Sequence, residues 1–326
     1  MVLWNYKIIY LEKGGFSVKK DCKLIATLPS LSNMSKVSRA FFEPLIAEVR
    51  FNTGVRSPFS PSETLQRLYN LSKTCHKVLW IDLKGRQPRV DVWADPLYEC
   101  VELNHAIEVD LPAKISFRNG TSSVITSVNG NKIFLDSPPR EALGKGQSVN
   151  ILGSNFHVTD GYLTKMDKEY LHILSEKPAK ELHFMASFIE SDDDLLAIAE
   201  EVGDHELHAT YCGKVESQRG LDYIKMPQMI EGVRLMAARD DLFIELGGNY
   251  VRMKKALESI ISQDSTAICA SRIFASLKSQ ESPSLADFED LEIMYGLGYR
   301  EFMLDDNICN YAFDRAIKAW EEFIDA

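Results

Sequence analysis

The sequence predicts an α/β fold: a (β/α)8 TIM barrel with a small β domain inserted after the third strand. Three observations carry this expectation. Eight short, β-rich apolar runs recur along the 326 residues. Amphipathic stretches of helical length separate most of them. About ninety residues lie between the third run and the fourth, far more than one crossover helix requires. Eight βα units close into a parallel barrel.

The runs are KLIATLPS from Lys23, IAEVRFNTG from Ile46, KVLWIDLKG from Lys77, LHFMASFIES from Leu182, LHATYCGKVES from Leu207, VRLMAARDDLF from Val233, TAICASRIF from Thr266 and EFMLDDNIC from Glu301. SDDDLLAIAEEV from Ser191, NYVRMKKALESIISQ from Asn249 and SLADFEDLEIMYGLG from Ser284 read as intervening helices, and YAFDRAIKAWEEFIDA as the final one. Within the long gap, AKISFRNGTSSVITSVNGNKIFLD and SVNILGSNFHV are extended, and Asn-Gly pairs at Asn119 and Asn129 are suited to tight hairpins. The expected division is 1–89 for the first part of the barrel, 90–160 for an inserted lid with Pro88 and Pro96 near its entry, and 161–326 for the remainder.

A hydrophobic fraction of 45% and a charged fraction of 26% are ordinary for a globular chain. The formal charge of −10 and the absence of a Lys/Arg run argue against nucleic acid or an anionic membrane as partner. The six cysteines are scattered without CxxC spacing, so reduced thiols in the cytoplasm are expected. MVLWNYKIIYLEKGG reads as a short strand and a turn rather than a signal peptide. No apolar stretch approaches the roughly 20 residues needed to span a bilayer.

In a barrel of this kind the working groups lie at the C-terminal ends of the strands. The fifth run ends in Gly213-Lys214-Val215-Glu216, where alternation turns Lys214 and Glu216 to one side. The sixth ends in Arg239-Asp240-Asp241. Glu216 and Asp241 are thus carboxylates from adjacent strands, an oxygen set for Mg2+ or Mn2+ that leaves positions open for substrate. A cation such as Lys214 beside a metal suits an enolate or phosphoryl ligand. Rim salt bridges are the alternative explanation of the same spacing.

These segments, taken in order, resemble the pyruvate kinase family. EVRFNTG carries Arg50 and Asn52, and DLKGRQPR resembles the family's Asp-Thr-Lys-Gly-Pro-x-x-Arg. The inserted domain follows at that point, LTKMDKEYL from Leu163 looks like the return to the barrel, and GKVESQRG, MAARDDLFIEL and ICASRIFASL come after it. The resemblance implies Lys214 as the lysine that stabilises the enolate and transferring phosphoryl group, with Glu216 and Asp241 as metal ligands. Ser271 stands where the family has a threonine near the enolate carbon. Arg50, Asn52, Asp82 and Arg89 match positions for phosphate contact, monovalent-cation binding and nucleotide contact. Arg239 and Asp240 lie in the segment that receives the substrate carboxylate.

The departures bear on activity. The family's Arg-Gly-Asp-Leu-Gly is here Arg239-Asp240-Asp241-Leu242-Phe243, so two backbone approaches gain side chains and Asp240 is expected to repel an anionic substrate. Leu83 and Gly54 replace a threonine and a serine, which argues against K+ activation. The family's C-terminal regulatory domain has no counterpart. The expected function is a pyruvate kinase-like phosphotransferase of altered or weak activity. It would bind phosphoenolpyruvate or a small keto acid, with ATP or ADP as nucleotide partner and a homo-oligomer as one open assembly. A metal-dependent lyase or aldolase working through a pyruvate enolate, and a non-catalytic binding or regulatory module, are the alternatives. His183, His205 and His208 lack metal-ligand spacing, Asp192, Asp193 and Asp194 read as a helix cap, and Met226, Met229 and Met236 read as core.

Overall fold

The computed structural model describes residues 19–55, 57–92, 100–117, 120–140, 143–152, 155–226 and 230–326. The strand and turn expected over 1–15, together with Pro96, Asn119 and Met229, lie outside the described residues. Eight parallel strands, β1 (Lys23–Thr27), β2 (Ile46–Asn52), β3 (Val78–Leu83), β4 (His183–Ala186), β5 (Thr210–Val215), β6 (Arg234–Ala238), β7 (Ile268–Ala270) and β8 (Glu301–Leu304), close a barrel in sequence order, with β8 pairing β1. Each of the eight apolar runs supplies one strand.

Both faces of each strand are covered, which is why the runs are nearly continuously apolar rather than alternating. Ile25, Trp80, Met185, Cys212, Met236, Ile268 and Met303 fill the barrel interior. Their neighbours Leu24, Ile81, Phe184, Leu235, Cys269 and Phe302 belong to the larger core between sheet and helices. The interior alternation continues upward: two residues beyond Trp80 stands Asp82, and two beyond Cys212 stands Lys214. An apolar middle layer therefore gives way to a charged layer above it, and below it Arg234 pairs with Glu301 and Trp80 donates to Glu48. Met236 is in the core as expected, whereas Met226 is 53% exposed, because it follows the short helix Gln218–Tyr223 rather than lying within it.

Capping boxes start three helices, Pro61–Cys75 at Ser60, Lys165–Leu174 at Thr164 and Leu285–Leu297 at Ser284, satisfying backbone donors that the first turn leaves unpaired. The final expected helix forms over Phe313–Asp325, and a separate short helix, Asp306–Tyr311, precedes it after β8.

Between β3 and β4 the chain builds a five-stranded antiparallel sheet in the order Cys100–Glu102, Lys132–Leu135, Ser122–Asn129, Ala113–Phe117, Val149–Leu152. Ile107–Glu108 pairs separately with His157–Val158. Val101, Ile115, Ile125, Ile133 and Val149 give this insert a core of its own. The hairpin expected at Asn129 forms, but Asn129 pairs with Lys132 and the two loop positions are Gly130 and Asn131, with Gly130 at φ 61°.

Insert and barrel are tied at the hinge. The buried Asp167 carboxylate accepts the Lys84 N–H at 2.8 Å and the Gly85 N–H at 3.0 Å. His105 of the insert bridges the Gly85 carbonyl and the Asp160 carboxylate, each at 2.8 Å. Gly85 has φ 48°, and a Cβ there would lie 2.5 Å from the Tyr162 ring and 2.7 Å from the Ser187 carbonyl oxygen. Gly85→Ala is therefore expected to lower stability by about 2–4 kcal/mol, combining left-handed backbone strain with overpacking. Urea unfolding measures it, and a loss below about 0.5 kcal/mol would show that the hinge yields freely.

Candidate active site

Asp82 lies at the end of β3 with no exposed surface. Three basic side chains converge on it: Arg50 from β2 is paired with Oδ2, Lys84 Nζ is 3.4 Å from Oδ2, and Lys214 Nζ from β5 is 3.4 Å from Oδ1. Burial, opposed by Asp82, lowers the Lys84 pKa to about 7, so it is only partly charged near neutral pH. The alternation of β2, β3 and β5 turns all four side chains into one volume. Burial opposes ionisation of Asp82, but Arg50, Lys214 and Lys84 outweigh it and hold the carboxyl well below the usual range. Arg50 also donates to Thr27 Oγ1 at 3.0 Å.

Lys214 is the junction of two anions. Its Nζ lies 3.1 Å from Glu216 Oε1 and donates to Ser187 Oγ at 2.8 Å, and Ser187 in turn donates to the Leu83 carbonyl at 2.7 Å. Burial favours the neutral amine, yet Asp82 and Glu216 overcome this and raise the Lys214 pKa, keeping an ammonium in place. Glu216 Oε2 accepts the Phe188 N–H at 2.7 Å. Burial raises the Glu216 pKa, Lys214 opposes the rise and Asp241 adds to it. Asp241 is partly buried at the start of the helix Arg239–Glu245 that follows β6.

Among the described residues no cluster of three or more His, Cys, Asp or Glu has metal-ligand geometry. The donor set is the pair Glu216 and Asp241, close enough that Asp241 disfavours ionisation of Glu216. Two carboxylates are what Mg2+ takes when it keeps several waters and substrate oxygens. The residues present fit such an ion.

The remaining sequence-predicted residues are placed differently. Asn52 Oδ1 accepts the Gly54 N–H at 3.0 Å beside the cluster. Lys84 packs over Gly54, where a Cβ would lie 2.8 Å from its Cε. Arg89 sits at the entry to the insert, donating to the Gly146 carbonyl at 2.6 Å and paired with Gln87. Arg239 is turned away from the cluster: it makes a two-point pair with Asp290 at 2.7 and 2.8 Å and donates to the Ala270 and Ser271 carbonyls. Asp240 is not a lone repulsive charge, because Arg272 Nε reaches its Oδ1 at 3.0 Å. Ser271 follows β7 directly with φ 66°, the same φ as Arg272 beside it, a pair of left-handed non-glycine residues of the sort that gathers at working sites.

Sequence reasoning did not single out Lys84, Ser187, Arg86, Glu190 or Glu245. The DLKGRQPR segment whose resemblance marked Asp82 also contains Lys84 two residues later, so that signal was present. Arg86 pairs with Asp194, the capping residue of helix Asp192–Val202, and Glu190 accepts from Ser217 Oγ at 2.7 Å. Nothing local to either residue announces these long-range partners.

Burial, then Glu190 and Asp241, pushes the Glu245 carboxyl up to about 7. Folding thus favours its protonated form. The stability this contributes is full below its ordinary value near 4.5 and is lost as pH rises through about 7, on the order of 3 kcal/mol at most. Urea unfolding between pH 5 and 8 should show that decline in the parent and a flatter profile in Glu245→Gln. Equal slopes would refute the assignment.

A family model for the pyruvate kinase barrel domain matches residues 107–296, more than half of the chain. Pyruvate kinase 2 of Saccharomyces cerevisiae is 27% identical over 155 residues, covering 46% of this chain and 30% of the relative. Pyruvate kinase 1 of the same yeast is 29% identical over 163 residues, covering 46% and 31%. Pyruvate kinase 2 of Candida glabrata is 29% identical over 133 residues, covering 37% and 26%. The match thus spans about a third of the length of these curated relatives. With the sequential parallel barrel and its insert after β3, the family match shows that the chain belongs to the pyruvate kinase family.

Proposed function

We propose that this protein binds phosphoenolpyruvate or a related small keto acid together with a divalent cation and acts as a phosphotransferase of reduced turnover, with ADP or ATP as second substrate. The observation that carries this is the Lys214 ammonium, held in a buried position by Asp82, Glu216 and Ser187 at the C-terminal end of the barrel. Three basic side chains, Arg50, Lys84 and Lys214, face three carboxylates, Asp82, Glu216 and Asp241. A divalent ion at the last two would leave the pocket net positive, matched to a phosphorylated carboxylic acid.

In this reading Lys214 donates to the oxygen on which charge develops, Arg50 orients the phosphoryl group, and the Ser271 hydroxyl lies beside the enolate carbon. Bound Mg2+ or Mn2+ would supply Lewis-acid stabilisation at that oxygen. Lys84 over Gly54, with Leu83 beside it, supports a site that needs no K+. Arg89 and the insert over 90–160 would form the lid side of the nucleotide site, moving about the Gly85 and Asp160 hinge. Arg272 offsets the charge of Asp240, whereas the side chains of Asp240 and Phe243, where the family has glycine, narrow the approach and support weak turnover. Six free cysteines fit a reducing compartment such as the cytoplasm.

Calorimetry with Mn2+ tests the metal ligands. Glu216→Gln and Asp241→Asn should each weaken binding by about tenfold or more, since each removes one of only two anionic ligands. Parent-like affinity in both variants would rule the site out. In a coupled assay with phosphoenolpyruvate, ADP and Mg2+, turnover should fall below the roughly 1–1,000 per second of ordinary enzymes and should not respond to K+. Turnover within that range, or a strong K+ response, would count against the weak-activity reading.

A further inference from the structure

A second pair of cavities lies at the opposite end of the barrel from Lys214. Two adjoining pockets, of 260 and 350 Å3, open where helix Pro61–Cys75, the segment after helix Lys165–Leu174 and the N-terminal ends of β3 and β4 come together. Tyr69 and Lys73 line both. Tyr69 is only 7% exposed, yet its Oη has no hydrogen-bond partner among the described residues. A buried hydroxyl in that state is disfavoured unless something polar meets it. Burial, reinforced by Glu181, raises the phenol pKa, so Oη keeps its proton and can donate.

Three lysines, Lys73, Lys77 and Lys177, line the two pockets against two carboxylates, Glu176 and Glu181. Lys177 Nζ lies 4.4 Å from the Tyr69 ring centroid. Lys73 reaches Glu181 only at 4.0 Å, with 70% of its side chain exposed. Lys77 lines the second pocket, its Nζ held by the Glu43 carbonyl at 2.5 Å. No arginine lines either pocket. Planar carboxylates are recognised best by the arginine fork, whereas lysines act as point charges on the tetrahedral oxygens of a phosphoryl group. Lys177 lines the 260 Å3 pocket and Lys77 the 350 Å3 one, so only the two together reach the roughly 300–1,000 Å3 of small-molecule sites.

We propose that these pockets form a second site, taking the phosphoryl group of a small phosphorylated metabolite through Tyr69 Oη, Lys73 and Lys177. It is separate from the Lys214 site and does not rest on the function proposed there. NMR titration of the full chain at constant ionic strength tests it, with inorganic phosphate and glycerol 3-phosphate as probes and chloride as control. Both phosphates should saturably shift the Tyr69 ring and Lys177 resonances, and glycerol 3-phosphate should bind more tightly because it fills more of the pocket. Tyr69→Phe, which loses an unpartnered hydroxyl and should keep its thermal stability, is expected to weaken binding about tenfold, the scale of one hydrogen bond to a charged group. The paired change Lys73→Met with Lys177→Met should abolish it. Shifts confined to the surroundings of Lys214, equal shifts with chloride, or undiminished binding in Tyr69→Phe would overturn the proposal. Equal affinity for the two probes would overturn the assignment to a metabolite rather than free phosphate.

Discussion

The upper half of the barrel depends on one carboxylate. Asp82 is fully buried and faces three basic side chains from three places in the chain. An anion in that position would be unstable alone, and so would Lys214 or Arg50. Asp82 and Lys214 each stay ionised because the other is there, so the position of Lys214 is set by β3 as much as by β5. Ser187 and the Leu83 carbonyl extend the same bond network to β4. The charged layer thereby fastens β2, β3, β4 and β5 where their ladder hydrogen bonds end.

The same region anchors the insert. Lys84 contributes its side-chain nitrogen to Asp82 and its backbone N–H to Asp167, so a single residue joins the charged layer to the hinge. His105 closes the other side of the hinge between Gly85 and Asp160. The departures from the family pattern have local compensation. Asp240 has Arg272, and Lys84 occupies the space that Gly54 leaves by lacking a side chain. Arg239 is engaged by Asp290 on a neighbouring helix and serves to hold the β6 and β7 ends together.

Much of this was legible in the sequence, for definite physical reasons. A parallel strand covered on both faces must be apolar along its length, so the eight runs marked the eight strands. Alternation with period two then placed Lys214 and Glu216 on the interior face, while Asp82 was marked by the resemblance of its segment to the family. What could not be read were partners set by the fold across long separations, such as Arg239 with Asp290, Arg86 with Asp194, and Tyr69 without any. The hairpin at Gly130 shows a subtler limit, since a shift of one residue in strand register changes which pair occupies the turn.

The central claim is that Asp82 is what keeps Lys214 an ammonium in a buried site. Titration of 15N-labelled lysine side chains in the parent and in Asp82→Asn tests it directly. The account predicts that Lys214 in the parent stays protonated beyond the ordinary lysine value of 10.5, and that Asp82→Asn moves its titration downward because burial is then opposed only by Glu216 and, more weakly, Asp241. A Lys214 titration left unchanged by Asp82→Asn would contradict it.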